Sequence, residues 1–278
     1  MDLLKNYQKK LFPYAYNILG SAEDARDVVQ DVMLKYLTAQ DRAIENETGY
    51  LIKSVVNQSI NLKKRNKKTV SDSMWLPEPV EMTDTNIIRE EILSYSMLVL
   101  LENLGPRERA VFILKEAFDY SHQEIAEALS FTVENSRKLL SRAKTLLKDT
   151  AQPRKSATAF PEGYLQNYMD TIRSGHVENL VEMLSEDIVV RTDGGGKIKI
   201  VSALTAGADN AADLMLYVYK TYQHLFEIEY RELNHQPAIL FYNNGVLVNC
   251  QIFEIEQTKI KRIYSIVDPG KLNIIAHF

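Results

Sequence analysis

A chain of 278 residues with 45% hydrophobic content is long enough for about two domains and apolar enough to fill their cores. Its net charge of -4 excludes a general polycation, so any nucleic-acid surface has to be local. One cysteine, Cys250, excludes an internal disulfide, and neither a secretion-signal pattern at the start nor an apolar run of membrane-spanning length is visible, so the expected setting is the cytoplasm with no membrane partner.

Residues 1 to about 65 have helical periodicity, with Gly20 as a helix stop before a new start at Ser21. From there Ala25, Val28, Val29, Val32 and Tyr36 fall on one apolar face, and Asp24, Asp27, Asp31 and Leu34 on its neighbour. Four acids against one arginine between Ser21 and Leu34 would repel DNA, so this stripe suits a protein partner; an ordinary charged solvent face has the same pattern. The polarity then reverses. Tyr50 to Lys68 holds Lys53, Lys63, Lys64, Arg65, Lys67 and Lys68 with no acid, interleaved with Asn57, Gln58 and Asn61. Cations can hold a strand by its phosphates while Tyr50 stacks on a base and asparagines read base edges, although lysines also favour any helix C-terminus.

Thr69 to about Asp84 is a connector centred on Trp75-Leu76-Pro77-Glu78-Pro79. Its prolines forbid continued helix, and the chain's single tryptophan on a polar connector predicts that the segment is docked rather than free. Ile87 to Leu104 is expected to be one helix, and Gly105-Pro106 to start another that runs to Ala117.

Ser121 to Lys144 reads as two short helices joined by a tight turn. Ser121 with Glu124 is a capping box, and Ile125, Ala126 and Leu129 follow at helical spacing. Thr132 caps a second helix whose stripe Val133, Ser136, Leu140, Ala143 and Leu147 packs, leaving Glu134, Arg137, Lys138, Ser141, Arg142 and Lys144 outside. From Asn135 to Lys148 there are five cations and no acid, the charge pattern of a helix-turn-helix facing DNA; a solvated amphipathic hairpin is the plainer alternative.

Beyond a second connector carrying Pro153, Arg154 and Lys155, the composition changes. Tyr164 to Arg173, Val177 to Leu184 and Asp209 to Gln223 look helical. Ile188 to Thr192, Lys197 to Val201, Phe226 to Leu233, Ala238 to Tyr242, Val246 to Glu256 and Thr258 to Val267 alternate like strands, with Asn243-Asn244-Gly245 as a hairpin turn. Together they predict an α+β domain with a mostly antiparallel sheet.

Acidic helix, basic asparagine-containing helix, short connector and helix-turn-helix, in that order, resemble the bacterial extracytoplasmic-function sigma factors. Asp24 to Leu34 is similar to the segment that docks on RNA polymerase, which implies polymerase contacts for Asp24, Asp27, Gln30, Asp31 and Leu34. Tyr50-Leu51-Ile52 with Asn57 and Ile60-Asn61 is similar to the reader of the minus-ten element, implying roles for Tyr50, Lys53, Asn57, Asn61, Lys63, Lys64 and Arg65. Leu104 to Phe112 followed by the helix-turn-helix is similar to the minus-thirty-five reader, implying Thr132, Glu134, Asn135, Arg137, Lys138, Ser141, Arg142 and Lys144. The last third resembles a SnoaL-like, NTF2-like cone domain fused to one subgroup of these factors. Trp75-Leu76-Pro77-Glu78-Pro79 matches that subgroup's linker motif and Asp193-Gly194-Gly195-Gly196-Lys197 its glycine motif. Asp268-Pro269-Gly270-Lys271-Leu272 approximates a third, normally Asn-Pro-Asp-Lys-Leu, departing at 268 and 270.

The expected organisation is therefore a multidomain chain of two all-α domains and an α+β cone: 1–68, a connector 69–86, 87–149, a connector 150–160, and 161–278. The expected function is promoter-specific initiation with core RNA polymerase on duplex and opened promoter DNA. The last domain would regulate in cis by contacting the linker and DNA modules, without need of a separate anti-sigma factor. Three glycines in 194–196 suit a close-approach loop, and a simple turn is the alternative. No cofactor, metal or catalysis is expected, since five scattered histidines give no ligand spacing. The competing reading is a conventional helix-turn-helix regulator with a ligand-sensing or enzymatic last domain. Tyr217, Tyr219, Tyr222, Phe226 and Tyr230 are its candidate cavity lining, and Asp193, His176, His224 and His235 its candidate acid-base groups.

Overall fold

The computed structural model describes residues 2–38, 46–66, 74–81, 88–147, 163–196 and 198–276. The expectations placed on Lys67, Lys68, Lys148, Lys197 and on most of the two connectors, including Pro153, Arg154 and Lys155, lie outside the described residues. The chain divides into two compact units, Met1–Ser71 with Thr83–Ser156, and Asp72–Met82 with Ala157–Phe278. The tryptophan-containing connector thus belongs to the C-terminal unit.

In the first unit, α1 (Asp2–Leu19), α2 (Ala22–Thr38) and α3 (Glu47–Asn66) pack on one another. Gly20, at φ +73°, ends α1, and Ser21 Oγ accepts from Asp24 N at 3.1 Å to start α2. Ala25, Val28, Val29 and Val32 are buried as their spacing predicts, on a helix that packs against α1 and α3, where Leu11, Ala15, Ile18, Leu51, Val55 and Val56 are buried in turn. The single helix expected over 87–104 is instead a 3-10 turn, Arg89–Glu91, and a short α4 (Tyr95–Leu101) capped by Ser94. The cause is tertiary. The buried Asn17 side chain of α1 donates to Glu91 O at 2.7 Å and accepts from Leu93 N at 3.2 Å, so these backbone groups bond to α1 rather than along a helix. Helix α5 (Pro106–Phe112) continues into a π-turn, Ile113–Ala117, followed by α6 (His122–Leu129) and α7 (Val133–Leu146).

The second unit holds α8 (Tyr164–Ser174), α9 (Val177–Met183), β1 (Leu184–Asp193), β2 (Leu204–Ala206), α10 (Ala208–Val218) with a terminal π-turn (Tyr219–Gln223), β3 (Glu227–Leu233), β4 (Gln236–Asn243), β5 (Val246–Glu256), β6 (Lys259–Ile266) and α11 (Pro269–Ala276). The sheet runs β2-β1-β6-β5-β4-β3, antiparallel except for the parallel pair β1 and β6. Asn244 and Gly245 take positive φ between β4 and β5, as the hairpin signal predicts. The strand expected over 197–201 is absent from 198–201; the edge strand is β2 instead, preceded by a bond from Thr192 N to Ala203 O. Bulges in the β4–β5 and β5–β6 pairings bend the sheet. Its core joins Tyr168, Met169 and Ile172 of α8 to Ile239, Phe241, Phe253 and Ile263, with Tyr168 edge-on to Phe253 at 5.2 Å.

Candidate functional site

Helix α2 buries one face and presents Asp27, Gln30, Asp31 and Leu34 on the other. Leu34 is 62% exposed, and Leu37, which sequence reasoning missed, is 56% exposed. The two bare leucines, one turn apart, form an apolar patch that exposed Asp31 borders one turn before Leu34 and exposed Lys35 flanks. Asp24, in the first turn of the same helix, is half-buried and accepts from Asn66 Nδ2 at 3.1 Å. Burial, with Asp27 and Glu23 nearby, raises its carboxyl above the usual range. Asp31 accepts from Gln58 Nε2 at 3.1 Å, tying α2 to α3.

On α3, Lys53, Asn61 and Arg65 are exposed, Tyr50 and Lys64 half-buried. Two of the expected strand readers are engaged inside the unit. Asn57 Nδ2 donates to Ala128 O of α6 at 2.9 Å, and Lys63 Nζ donates to Leu19 O at 2.8 Å and pairs with Glu102 at 3.0 Å. Glu102 also pairs with Arg109, a fully buried side chain whose Nε donates to Asn17 O at 2.9 Å. Burial opposes the Glu102 carboxylate, but Arg109 and Lys63 outweigh it and hold its pKa below the ordinary value. Sequence reasoning missed this Asn17–Glu102–Arg109 hub; an arginine on the buried side of an apolar helical stretch was the available signal. Tyr14 of α1 likewise stacks on Phe118 at 3.9 Å, and burial pushes its phenol well above the usual range.

The helix-turn-helix forms as its caps predict. Ser121 Oγ accepts from Glu124 N at 3.1 Å, while Glu124 Oε2 accepts from Ser121 N at 2.7 Å. Ser130 turns the chain at φ +55°, and Thr132 Oγ1 accepts from Asn135 N at 3.1 Å. His122 and Ser136 join the two helices through a 2.9 Å hydrogen bond, and burial together with Arg137 and Lys115 depresses the imidazole pKa. Ser136, Leu140, Ala143 and Leu147 are buried, Val133 and Asn135 partly so, and Glu134, Arg137, Lys138, Ser141, Arg142 and Lys144 exposed. Lys138 pairs with Glu134 and Lys144 with Glu116, whereas Arg137 and Arg142 have no ion pair among the described residues.

In the second unit the three unusual motifs meet. Asp193 Oδ2 accepts from Leu76 N at 2.8 Å and from Lys271 Nζ at 2.5 Å, and Lys271 Nζ donates to Leu76 O at 2.5 Å. Asp193 Oδ1 accepts from Gly195 N at 2.8 Å. The Lys271 ammonium lies 4.5 Å from the Trp75 ring centroid. Leu76, Pro77, Glu78 and Pro79 are buried. Further along the connector, Val80 N donates to Asn234 Oδ1 at 2.8 Å, and Glu81 pairs with Arg231 at 3.2 Å. The connector is therefore fastened, as the lone tryptophan predicts. A β-carbon at Gly195 would collide with the Asp268 side chain, and one at Gly194 would lie 2.7 Å from Ile198 O, so both are close-approach positions; Gly196 faces open space. Asp268, where the third motif departs, still starts α11: its Oδ1 accepts from Gly270 N at 3.0 Å.

A cavity of about 530 Å³ lies between the sheet and α10. Of the expected aromatic lining, Tyr222 and Phe226 reach it; Tyr217 and Tyr230 are exposed elsewhere, and Tyr219 packs against the core. Side chains at 217, 219 and 230 project from other faces of α10, its π-turn and β3. None of Asp193, His176, His224 and His235 lines the cavity. His176 and His224 are exposed, His235 is buried near Glu232, and Asp193 is held by Lys271. No acid-base pair is assembled at the cavity wall among the described residues. These residues contain no cluster able to hold a metal, and none of their helices is long and apolar enough to cross a membrane.

The sigma-70 region 2 family profile matches residues 3–69 and the sigma-70 region 4 profile residues 95–147. A probable ECF RNA polymerase sigma factor, SigI of Mycobacterium tuberculosis, is 24% identical over 274 residues, 95% of this chain and 91% of that protein. The ECF sigma factor SigJ of the same organism is 26% identical over 226 residues, 77% of this chain and 72% of that protein. The crystal structure of Mycobacterium tuberculosis SigJ superposes with a TM-score of 0.75 at 20% identity and covers 98% of both chains. The two helical regions and the α+β extension are thus found together, in the same order, in a solved fold.

Proposed function

We propose, on the premise that the chain is an extracytoplasmic-function RNA polymerase sigma factor with an α+β C-terminal extension, a division of labour among its faces. Helix α2 docks on core RNA polymerase through Asp24, Asp27, Gln30, Asp31 and Leu34, extended by Leu37. An apolar patch with a charged rim gives both burial and orientation. Helix α3 holds and reads the opened minus-ten strand with Tyr50, Lys53, Asn57, Asn61, Lys63, Lys64 and Arg65. Helix α7 lies in the major groove at the minus-thirty-five element through Thr132, Glu134, Asn135, Arg137, Lys138, Ser141, Arg142 and Lys144.

The observation that carries this reading is the segregation of charge. The exposed face of α2 is acidic and leucine-edged, while α7 exposes Arg137 and Arg142 without ion pairs among the described residues. A few cations on each reader give mainly salt-sensitive affinity, so neither binds tightly alone. Polymerase tethers both, and the effective concentration of each rises. Asn57 and Lys63 serve promoter DNA after their contacts to Ala128 and Glu102 open, so the closed arrangement of these side chains is a resting one.

The C-terminal extension acts in cis by holding the connector that joins the two readers in sequence, through Trp75 to Pro79 on one side and Asp193 to Gly196 with Asp268 to Leu272 on the other. That restraint sets the spacing available to the readers, without requiring a separate anti-sigma factor. The site of action is the cytoplasm, with polymerase. The test is reconstitution with core polymerase and run-off transcription from a cognate promoter. Activity and co-elution with the core support the assignment; DNA binding without co-elution would favour the conventional regulator. Removing residues 161–278 should change promoter output, and identical output would remove the regulatory role.

A further inference from the structure

The cavity of the C-terminal unit has a division of chemistry that the motif contacts do not use. Its floor is a row of partners across three strands: Thr192 of β1 opposite Ser265 of β6, and Ser265 opposite Gln251 of β5. Asn249, two residues from Gln251 on the same face, donates to Ser265 Oγ at 2.8 Å. Gln251 is 3% exposed and lines the cavity, yet its side-chain amide has no hydrogen-bond partner among the described residues. Buried amides are normally satisfied, and this one offers both a donor and an acceptor to the space it lines. The facing wall is apolar, with Leu214, Met215 and Val218 of α10. Lys199, an exposed residue, is the one charged side chain in the lining among the described residues.

We propose that this cavity is a binding site for an uncharged, mostly apolar small molecule bearing a single carbonyl or hydroxyl group, which Gln251 and Ser265 would engage. The volume lies within the roughly 300–1,000 Å³ of small-molecule sites. A carboxylate or phosphate finds no buried cation among the described lining residues, and an ammonium finds no acid. The same site touches the linker clamp. Pro269 and Leu272 of α11 line the cavity on either side of Lys271, and Thr192 lines it next to Asp193. An occupant that packs against α11 and β1 therefore tightens the Lys271–Asp193 grip on Leu76. This second step rests on the proposed regulatory role of the extension; the binding site itself does not.

The full chain is titrated with Prodan, a neutral naphthyl ketone whose emission moves to the blue in a dry site. Saturable binding at one site per chain is expected, weakened at least tenfold by Val218→Phe, which fills the cavity. Gln251→Met, which keeps the volume and removes the amide, should weaken it about tenfold, the loss of one hydrogen bond. Circular dichroism melts verify that both variants fold. Absence of saturable binding, or equal affinity in Val218→Phe, overturns the site. Amide hydrogen exchange at 74–81 should slow on saturation with Prodan; unchanged exchange overturns the coupling to the linker. Neither readout involves polymerase, so these failures are distinct from failure of the transcription assignment.

Discussion

Lys271 and Asp193, 78 residues apart in sequence, form a buried ion pair at 2.5 Å that encloses the backbone of Leu76. The lysine side chain is 7% and the aspartate 1% exposed, so each charge depends on the other and on the connector's peptide groups. Removing one partner leaves the other buried and uncompensated. Lys271→Met should cost about 3–5 kcal/mol in the C-terminal unit. Trp75 emission should shift to the red as the connector loosens. Equal melting temperature and emission in wild type and variant would contradict the clamp.

The glycine motif predicts a graded effect. Gly195, at φ +62°, has the Asp268 side chain where a β-carbon would sit, whereas Gly196, at φ +69°, has open space. Gly196→Ala should cost about 1–2 kcal/mol, the conformational penalty alone. Gly195→Ala adds a clash that displaces Asp268 from the start of α11 and should cost more. Thermal melts in which the two variants coincide would show that close approach is not the reason for the motif.

Glu102 gives a pH dependence with a defined sign. Its pKa is lowered in the folded chain by Arg109 and Lys63, despite burial acting the other way. The folded state therefore binds fewer protons, and the contribution is complete above the unfolded carboxylate value of about 4.3 and lost as pH falls through the lower folded value. Glu102→Gln should be less stable at neutral pH, with a shallower acid limb below about pH 4. Parallel acid limbs in denaturation of the two proteins would refute the assignment.

Asp27 and Asp31 are exposed, and the pair's one side-chain contact across helices is the Asp31–Gln58 hydrogen bond among the described residues, so Asp27→Lys with Asp31→Lys should cost no more than about 1–2 kcal/mol. Association with core polymerase should be abolished while binding of isolated promoter DNA is spared or strengthened. A native complex on gel filtration would argue against α2 as the docking helix.

Arg137→Ala and Arg142→Ala remove the two exposed cations of α7 that have no ion pair among the described residues. Each should weaken binding to the minus-thirty-five duplex and, where it contacts phosphate, lower the salt slope by about 1. Unaltered affinity for the duplex in both variants would place α7 outside the groove.

Local chemistry was legible in the chain from the start. The Ser121–Glu124 capping box, the Thr132 cap, the Gly20 stop and the Asn244-Gly245 turn each act over a few residues, so composition and spacing were enough to locate them. Helical and strand periodicity likewise placed the acidic face of α2 and most of the C-terminal strands, because amphipathic patterning records which side faces a core. The tertiary structure alone decided what distant side chains do. Asn17 broke the helix expected over 87–104, Glu102 took Lys63, Ala128 took Asn57, and β1 ran parallel to β6. Trp75 was expected to dock, but its position beside Lys271 depends on a lysine and an aspartate brought together by strands far apart in sequence. Ion pairs and buried hydrogen bonds are satisfied by whichever partner the folded chain delivers, and no local pattern records that choice.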